Sequence, residues 1–120
     1  MLSLFKKKLI KISVCVPVCG TQKLLPACLE SICSQNFCGF EIIVVDDEGI
    51  GRLKEKELNT KKILKEFCKK HKSPNFCVKL VQHEKNKGLV EARRSAVYAA
   101  AGKYIMFVDS DDFLLPDALS

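Results

Sequence analysis

Two acidic clusters are the residues best placed to do chemistry: Asp46-Asp47 and Asp109-Ser110-Asp111-Asp112, each directly following an apolar run. Asp109-x-Asp111 brings two carboxylates near one another with Asp112 beside them. Hard oxygen ligands at that density suit Mg²⁺ or Mn²⁺, which take one or two carboxylates plus the oxygens of a phosphate. A cation held there would neutralise a diphosphate leaving group as its charge develops. The competing reading is turn and cap chemistry, which Asp-Ser-Asp serves as well. Asp46-Asp47 faces the same choice, between forming a turn and accepting hydrogen bonds from a base or a ribose. Arg93 shares a helical face with Leu89, Ala96, Val97 and Ala100. A guanidinium on a packing face needs an anionic partner, either a strand-end Asp or a bound phosphate or ribose. Arg94 is expected at the surface. His71 and His83 have no second His or Cys at ligand spacing, so neither is given a catalytic or metal role.

The elements that must position these groups alternate in type. Residues 12–18 are an apolar, β-branched run containing Pro17, and Cys19-Gly20-Thr21 follows as turn and N-cap. Leu24, Leu25, Cys28, Leu29 and Ile32 recur at helical spacing, with Pro26 confined to the first turn. Residues 40–45 form a second strand that stops at Asp46-Asp47. The Lys-rich stretch 53–72 places Leu53, Ile63, Leu64, Phe67 and Cys68 for an amphipathic helix, broken by Ser73-Pro74-Asn75. Residues 76–81 predict a third strand, 89–101 an Ala-rich helix closed by Gly102, and 104–108 a fourth strand running into Asp109. This alternation predicts an α/β fold, a Rossmann-like, mostly parallel sheet with helices on both faces. Ligands in such sheets bind beyond the carboxyl ends of the strands, where both acidic clusters and the Pro17 turn fall.

The composition supports one folded domain or a piece of one: 120 residues, 48% hydrophobic, 28% charged, with Gly 6 and Pro 4. Twenty Lys plus Arg against fourteen Asp plus Glu give +6, which suits an anionic partner. That excess sits in one amphipathic helix and in a basic leader, residues 1–11, and is not interleaved with aromatic residues, which argues against nucleic acid. Lys6, Lys7 and Lys8 form a solvated leader or are weakly attracted to an anionic inner leaflet; neither a secretory h-region nor a membrane span accompanies them. Seven Cys with no C-x-x-C pair read as reduced thiols in a cytosol, with Cys15 and Cys77 in the core and zinc disfavoured. Neither G-x-G-x-x-G nor a P-loop follows the first strand, which disfavours NAD and simple NTPase chemistry. A receiver-like domain expects an acidic residue there, where this chain has Pro17-Val18-Cys19-Gly20.

As an ordered set, Ile12-Ser13-Val14 to Pro17, Ser34-Gln35-Asn36-Phe37, Glu41 through Asp47, Asn86-Lys87-Gly88, Ala92-Arg93 and Gly102-Lys103-Tyr104-Ile105 through Asp112 are familiar. From Ile12 onward the chain resembles the N-terminal half of a family 2 glycosyltransferase of the GT-A fold. The resemblance implies a metal-dependent (Mn²⁺ or Mg²⁺), inverting transferase. Its donor would be a nucleotide-sugar, commonly a UDP-sugar, and its acceptor a glycan or lipid-linked glycan in bacterial surface polysaccharide or lipooligosaccharide synthesis. By position, Asp47 matches the carboxylate on the base, and Pro17 and Val18 lie against the nucleoside. Asp109 and Ser110 match the start of the D-x-D near ribose and metal, and Asp111 matches the metal ligand on the diphosphate. Asp46 and Arg93 match recurrent positions whose roles are partly structural.

The sequence departs from the family pattern at two places. An aromatic-Asn pair usually follows Pro-Val, and here Cys19-Gly20 stands; Gly-Ser usually follows Asp-Asp, and here Glu48-Gly49 and a Lys-rich insertion stand. The general base of an inverting transferase lies beyond the D-x-D in this family, so it is expected beyond Ser120. Residues 12–120 then make the donor-binding part of a larger domain, cytoplasmic or peripheral on the inner face of the cytoplasmic membrane. The alternative is a non-catalytic nucleotide-binding or partner-docking module of the same fold. An incomplete sheet leaves an edge and an apolar face uncovered, which predicts self-association.

Overall fold

The computed structural model describes residues 10–35, 39–49, 59–71 and 76–115. Four strands, β1 (Ile12–Val18), β2 (Phe40–Asp46), β3 (Phe76–Gln82) and β4 (Tyr104–Phe107), pair in the order β3-β2-β1-β4. Every pairing is parallel. Three helices connect them: α1 (Leu25–Cys33), α2 (Thr60–Lys70) and α3 (Leu89–Ala99).

Side chains alternate across the two central strands, and each face has its own cover. Val14, Val16 and Val18 of β1 with Ile42 and Val44 of β2 pack against Leu25, Cys28, Leu29 and Ile32 of α1 and Ile63, Leu64 and Phe67 of α2. On the opposite face Cys15, Ile43 and Val45 meet Ala92 and Ala96 of α3. Helices therefore lie on both faces, as the alternation predicts.

The starts of β2 and β4 are tied by a buried polar cluster. The Ser13 hydroxyl donates to Glu41 Oε2 (2.6 Å), which also accepts from the Ala101 amide (2.6 Å). Lys79 Nζ lies 2.8 Å from Glu41 Oε1. Burial raises the Glu41 pKa, but Lys79, Ser13 and the Ala101 amide together outweigh it and hold the carboxyl below its usual range. The Gly102 amide donates to Ser13 Oγ (2.8 Å), and a Cβ on Gly102 would lie 2.6 Å from that same oxygen. Gly102 is thus required by close approach of the chain entering β4. It does not close α3, which stops at Ala99 with Ala100 extended at its C-cap.

Several other expectations are corrected. Thr21 does not cap α1; Leu24 takes that position, with Pro26 in the first turn, and the Thr21 carbonyl accepts from the Leu24 and Leu25 amides. The helix expected over 53–72 is observed over Thr60–Lys70, where the Asn59 side chain accepts from the Lys62 amide (2.9 Å) and fixes the start. Leu53, the Ser73-Pro74-Asn75 break, most of the basic leader and residues 116–120 lie outside the described residues. Cys77 is exposed, because β3 is a sheet edge, and Cys68 is exposed on the outer side of α2. Arg93 is not on the packing face of α3, which is Ala92 and Ala96, and Leu89 and Val97 beside it are about half exposed. Tyr104, Ile105 and Phe107 of β4 are also exposed, since no described element covers this edge.

Candidate functional site

The parallel register brings the carboxyl ends of β1, β2 and β4 together, and the loops beyond them surround a cleft of about 360 Å³. Its walls are Pro17, Val18, Cys19 and Thr21 after β1, Asp47 after β2, Asn86, Gly88, Leu89 and Ala92 at and before the start of α3, and Asp109, Ser110 and Asp111 after β4. Of the residues singled out in the sequence, Pro17, Val18, Asp47, Asp109, Ser110 and Asp111 converge here. Asp46 and Arg93 stand just outside.

Asp46 is buried at the end of β2, and its Oδ1 accepts from the Glu48 amide (3.1 Å), a turn bond that leads the chain out of the strand. Asp47 is buried and heavily engaged. Its Oδ1 meets His83 Nδ1 (2.7 Å) and the Lys87 amide (2.8 Å), and its Oδ2 accepts from the Gly88 amide (2.9 Å). Burial raises its pKa, and His83 with the two amides more than reverses this, holding the carboxyl ionised below its usual range. A carboxylate offers about four lone-pair positions, so with three bonds made Asp47 keeps one on Oδ2 for a ligand N–H.

The same bonds orient α3. Gly88, at φ +92, is its N-cap and brings no side-chain acceptor, so the first-turn amides and the positive end of the helix dipole border the cleft. That arrangement favours an anionic ligand group.

After β4, the Val108 amide continues the ladder to Cys15 (2.9 Å), and Asp112 turns back onto the Asp109 carbonyl (2.9 Å). Ser110 is buried, its hydroxyl paired with that of Thr21, so the β1 and β4 loops are joined through the middle residue of the D-x-D. One carboxylate oxygen from each of Asp109, Asp111 and Asp112 lies within 4.8 Å of the others, and all three residues are exposed. Burial and the charges of these three push the Cys28 thiol beneath them up to about 12. Arg93 lies 3.8 Å from Asp109 and over the Phe107 ring at 5.6 Å, the ion-pair alternative among the two read for it. An all-oxygen set open to solvent fits a hard divalent cation that also takes phosphate oxygens.

Sequence reasoning gave His83 no role, and it named Asn86 among the motif residues and Glu48 among the departures without a contact for either. His83 follows Gln82, which stands beside Asp46 in register, so its ring comes against Asp47 with Nε2 at Ser95 Oγ (2.7 Å). Asn86 donates to Cys19 Sγ (3.0 Å). Glu48 accepts from the Gly20 amide (2.8 Å), where Gly20 adopts φ +73. The two departures from the family pattern therefore meet each other.

A family model described as "Glycosyl transferase family 2" matches residues 13–120. The poly(ribitol-phosphate) beta-glucosyltransferase of Bacillus spizizenii is 34% identical over 112 residues, 91% of this chain and 16% of that protein. The chondroitin synthase of Escherichia coli is 32% identical over 113 residues, 94% of this chain and 15% of its own length. The crystal structure of Staphylococcus aureus TarS 1–349 in complex with UDP superimposes with a TM-score of 0.73 at 32% identity, over 92% of this chain and 30% of that one. The chain spans less than a third of each of these relatives.

Proposed function

Since the chain belongs to glycosyl transferase family 2, we propose that its cleft is the donor site of an inverting transferase. The donor is a nucleotide-sugar, a UDP-sugar by preference, and the acceptor a glycan or lipid-linked glycan of a bacterial surface polysaccharide. The observation that carries this reading is the convergence, on one cleft, of the wall made by Pro17, Val18, Cys19 and Thr21, an Asp47 with one lone pair to spare, and the Asp109 and Asp111 carboxylates, with Asp112 beside them. The complexes of S. aureus TarS with UDP and with UDP-GlcNAc support the choice of donor.

In this reading the Pro17–Val18 wall packs on the nucleoside and Asp47 accepts a hydrogen bond from the base. Asp109 lies toward the ribose, with Arg93 balancing its charge. Asp109 and Asp111 hold Mn²⁺ or Mg²⁺, which when bound supplies neutralisation of the diphosphate leaving group. His83 is buried and engaged with Asp47 and Ser95, so it orients Asp47 and is not the general base. That base belongs to a part of the enzyme beyond the described residues.

We place the protein in the cytoplasm or at the inner face of the cytoplasmic membrane, a reading supported by the net charge of +6 and by Lys6, Lys7 and Lys8. Among the described residues no helix is long and apolar enough to cross a membrane. The test is calorimetric titration of UDP with Mn²⁺ into the chain and into an Asp111→Asn variant. Saturable binding that falls at least about tenfold in the variant is expected. Equal affinity in a folded variant would remove Asp111 from the donor site.

A further inference from the structure

At the sheet edge opposite the cleft, the C-terminal ends of α1 and α2 bring together three side chains that the donor site does not use. Glu30 and Cys33 lie one turn apart on α1, and His71 is the residue that ends α2. One ligand atom from each lies within 4.8 Å of the other two, and all three side chains are partly buried.

We propose that Glu30, Cys33 and His71 form a binding site for a borderline transition-metal cation, Zn²⁺ being the natural occupant. The donor set is one thiolate, one imidazole and one carboxylate, the mixture Zn²⁺ takes in tetrahedral sites, with a fourth position open to solvent. Cys33 Sγ is 3.8 Å from His71 Nδ1 and 3.8 Å from Glu30 Oε2. A tetrahedral edge between sulfur and nitrogen ligands of Zn²⁺ measures about 3.5 Å, so the Cys33–His71 edge closes with a small movement. Glu30 Oε1 lies 2.7 Å from His71 Nε2, a contact that must break for the carboxylate to turn toward an ion held between Cys33 Sγ and His71 Nδ1. The Phe67 ring packs beside the imidazole, with centroids 4.8 Å apart.

The surroundings favour a cation. Two helix C-termini, each carrying partial negative charge, end here. Lys70, 3.5 Å from Glu30 Oε1, is the competing cation, and its side chain is 72% exposed and free to swing away. A cation that binds here takes the place of the Cys33 thiol proton, which is released to solvent. The bound ion would fasten the ends of α1 and α2 where the chain enters β2 and β3.

Co²⁺, which reports thiolate ligation by a near-ultraviolet charge-transfer band, is the probe. Titration into the full reduced chain should give that band at one equivalent, and Zn²⁺ should displace it. The band should vanish in Cys33→Ser and weaken at least about tenfold in affinity in His71→Gln. It should persist in Cys68→Ser, whose thiol lies elsewhere on α2, and in Asp111→Asn, which separates this site from the acidic cluster. Zinc-edge X-ray absorption on the parent chain should show one sulfur at ~2.3 Å, a readout independent of any variant's folding. A spectrum with only oxygen and nitrogen neighbours, or a cobalt band that survives in Cys33→Ser, overturns the proposal.

Discussion

Asp47→Asn isolates what the buried carboxylate does for the fold of the cleft. In the parent chain Asp47 receives His83 Nδ1 and the Lys87 and Gly88 amides at 2.7, 2.8 and 2.9 Å. Asparagine keeps one acceptor oxygen for two of these partners, but its NH₂ group then faces the Gly88 N–H. One hydrogen bond to a charged acceptor is lost and a buried donor is left unpaired, which together cost about 2–4 kcal/mol. The effect depends on pH in a defined direction. The folded-state pKa of Asp47 is lowered, so its contribution is complete above the unfolded carboxyl pKa of about 3.9 and is lost as the pH falls through the folded value. Urea unfolding of parent and variant should show a difference that narrows as the pH falls below about 4. Titrating groups that do not touch Asp47, Glu41 among them, act equally on both chains and cancel in the difference; His83, 2.7 Å from Asp47, does not, so the acid limb below about pH 4 is the part that reports Asp47. A variant that costs less than about 0.5 kcal/mol, or whose deficit is unchanged in strong acid, would refute the assignment of Asp47 as an ionised anchor of the Lys87-Gly88 turn.

Two further outcomes follow from other parts of the fold. Gly102→Ala should lower stability by about 1–3 kcal/mol, because its Cβ would stand 2.7 Å from the Ser13 amide nitrogen as well as against the Ser13 hydroxyl; an unchanged thermal midpoint would refute this. Tyr98, Phe107, Tyr104 and Val97 leave the outer side of α3 and β4 apolar and exposed, so light scattering should show association that rises with concentration and recedes in a Tyr98→Lys, Val97→Lys double variant. A monomeric parent chain would count against that.

The fold was legible because the physics that selects it is local. Residues 14–18 and 42–45 are continuous apolar runs because both faces of β1 and β2 are covered, and a strand buried on both sides leaves that signature. Where one side of an element lacks a partner, periodicity misled. Cys77 reads as core from its apolar neighbours, yet it lies on an edge strand. Arg93 reads as facing the sheet, yet the residues of α3 that pack there are the small ones, Ala92, Ala96 and Ala99. The acidic strand ends were equally legible, but the groups that orient them were not. His83 reaches Asp47 across the β2–β3 register, Thr21 meets Ser110 across 89 positions of sequence, and Glu41 gathers Ser13 and Lys79 from two strands and Ala101 from the loop before β4. Such contacts exist only once the parallel pairing is set.

The two departures from the family pattern bear on how the cleft can hold its ligand. Replacing an aromatic-Asn pair by Cys19-Gly20 removes bulk from the wall, and Glu48 compensates by drawing the Gly20 amide onto its carboxylate at 2.8 Å. The loop is held, but at the cost of another buried acidic group beside Asp47, with Asp109, Asp111 and Asp112 across the opening. Against these carboxylates the edge offers Arg93, already 3.8 Å from Asp109, and the start of α3. A diphosphate entering this field is repelled unless a cation arrives with it, whereas an uncharged nucleoside is not. Uridine should therefore bind with the same affinity in EDTA and in Mn²⁺, while UDP should lose at least about tenfold in EDTA. Equal UDP affinity in both would mean that the α3 amides and Arg93 suffice for the diphosphate, and the acidic cluster would then have to be explained as turn chemistry alone.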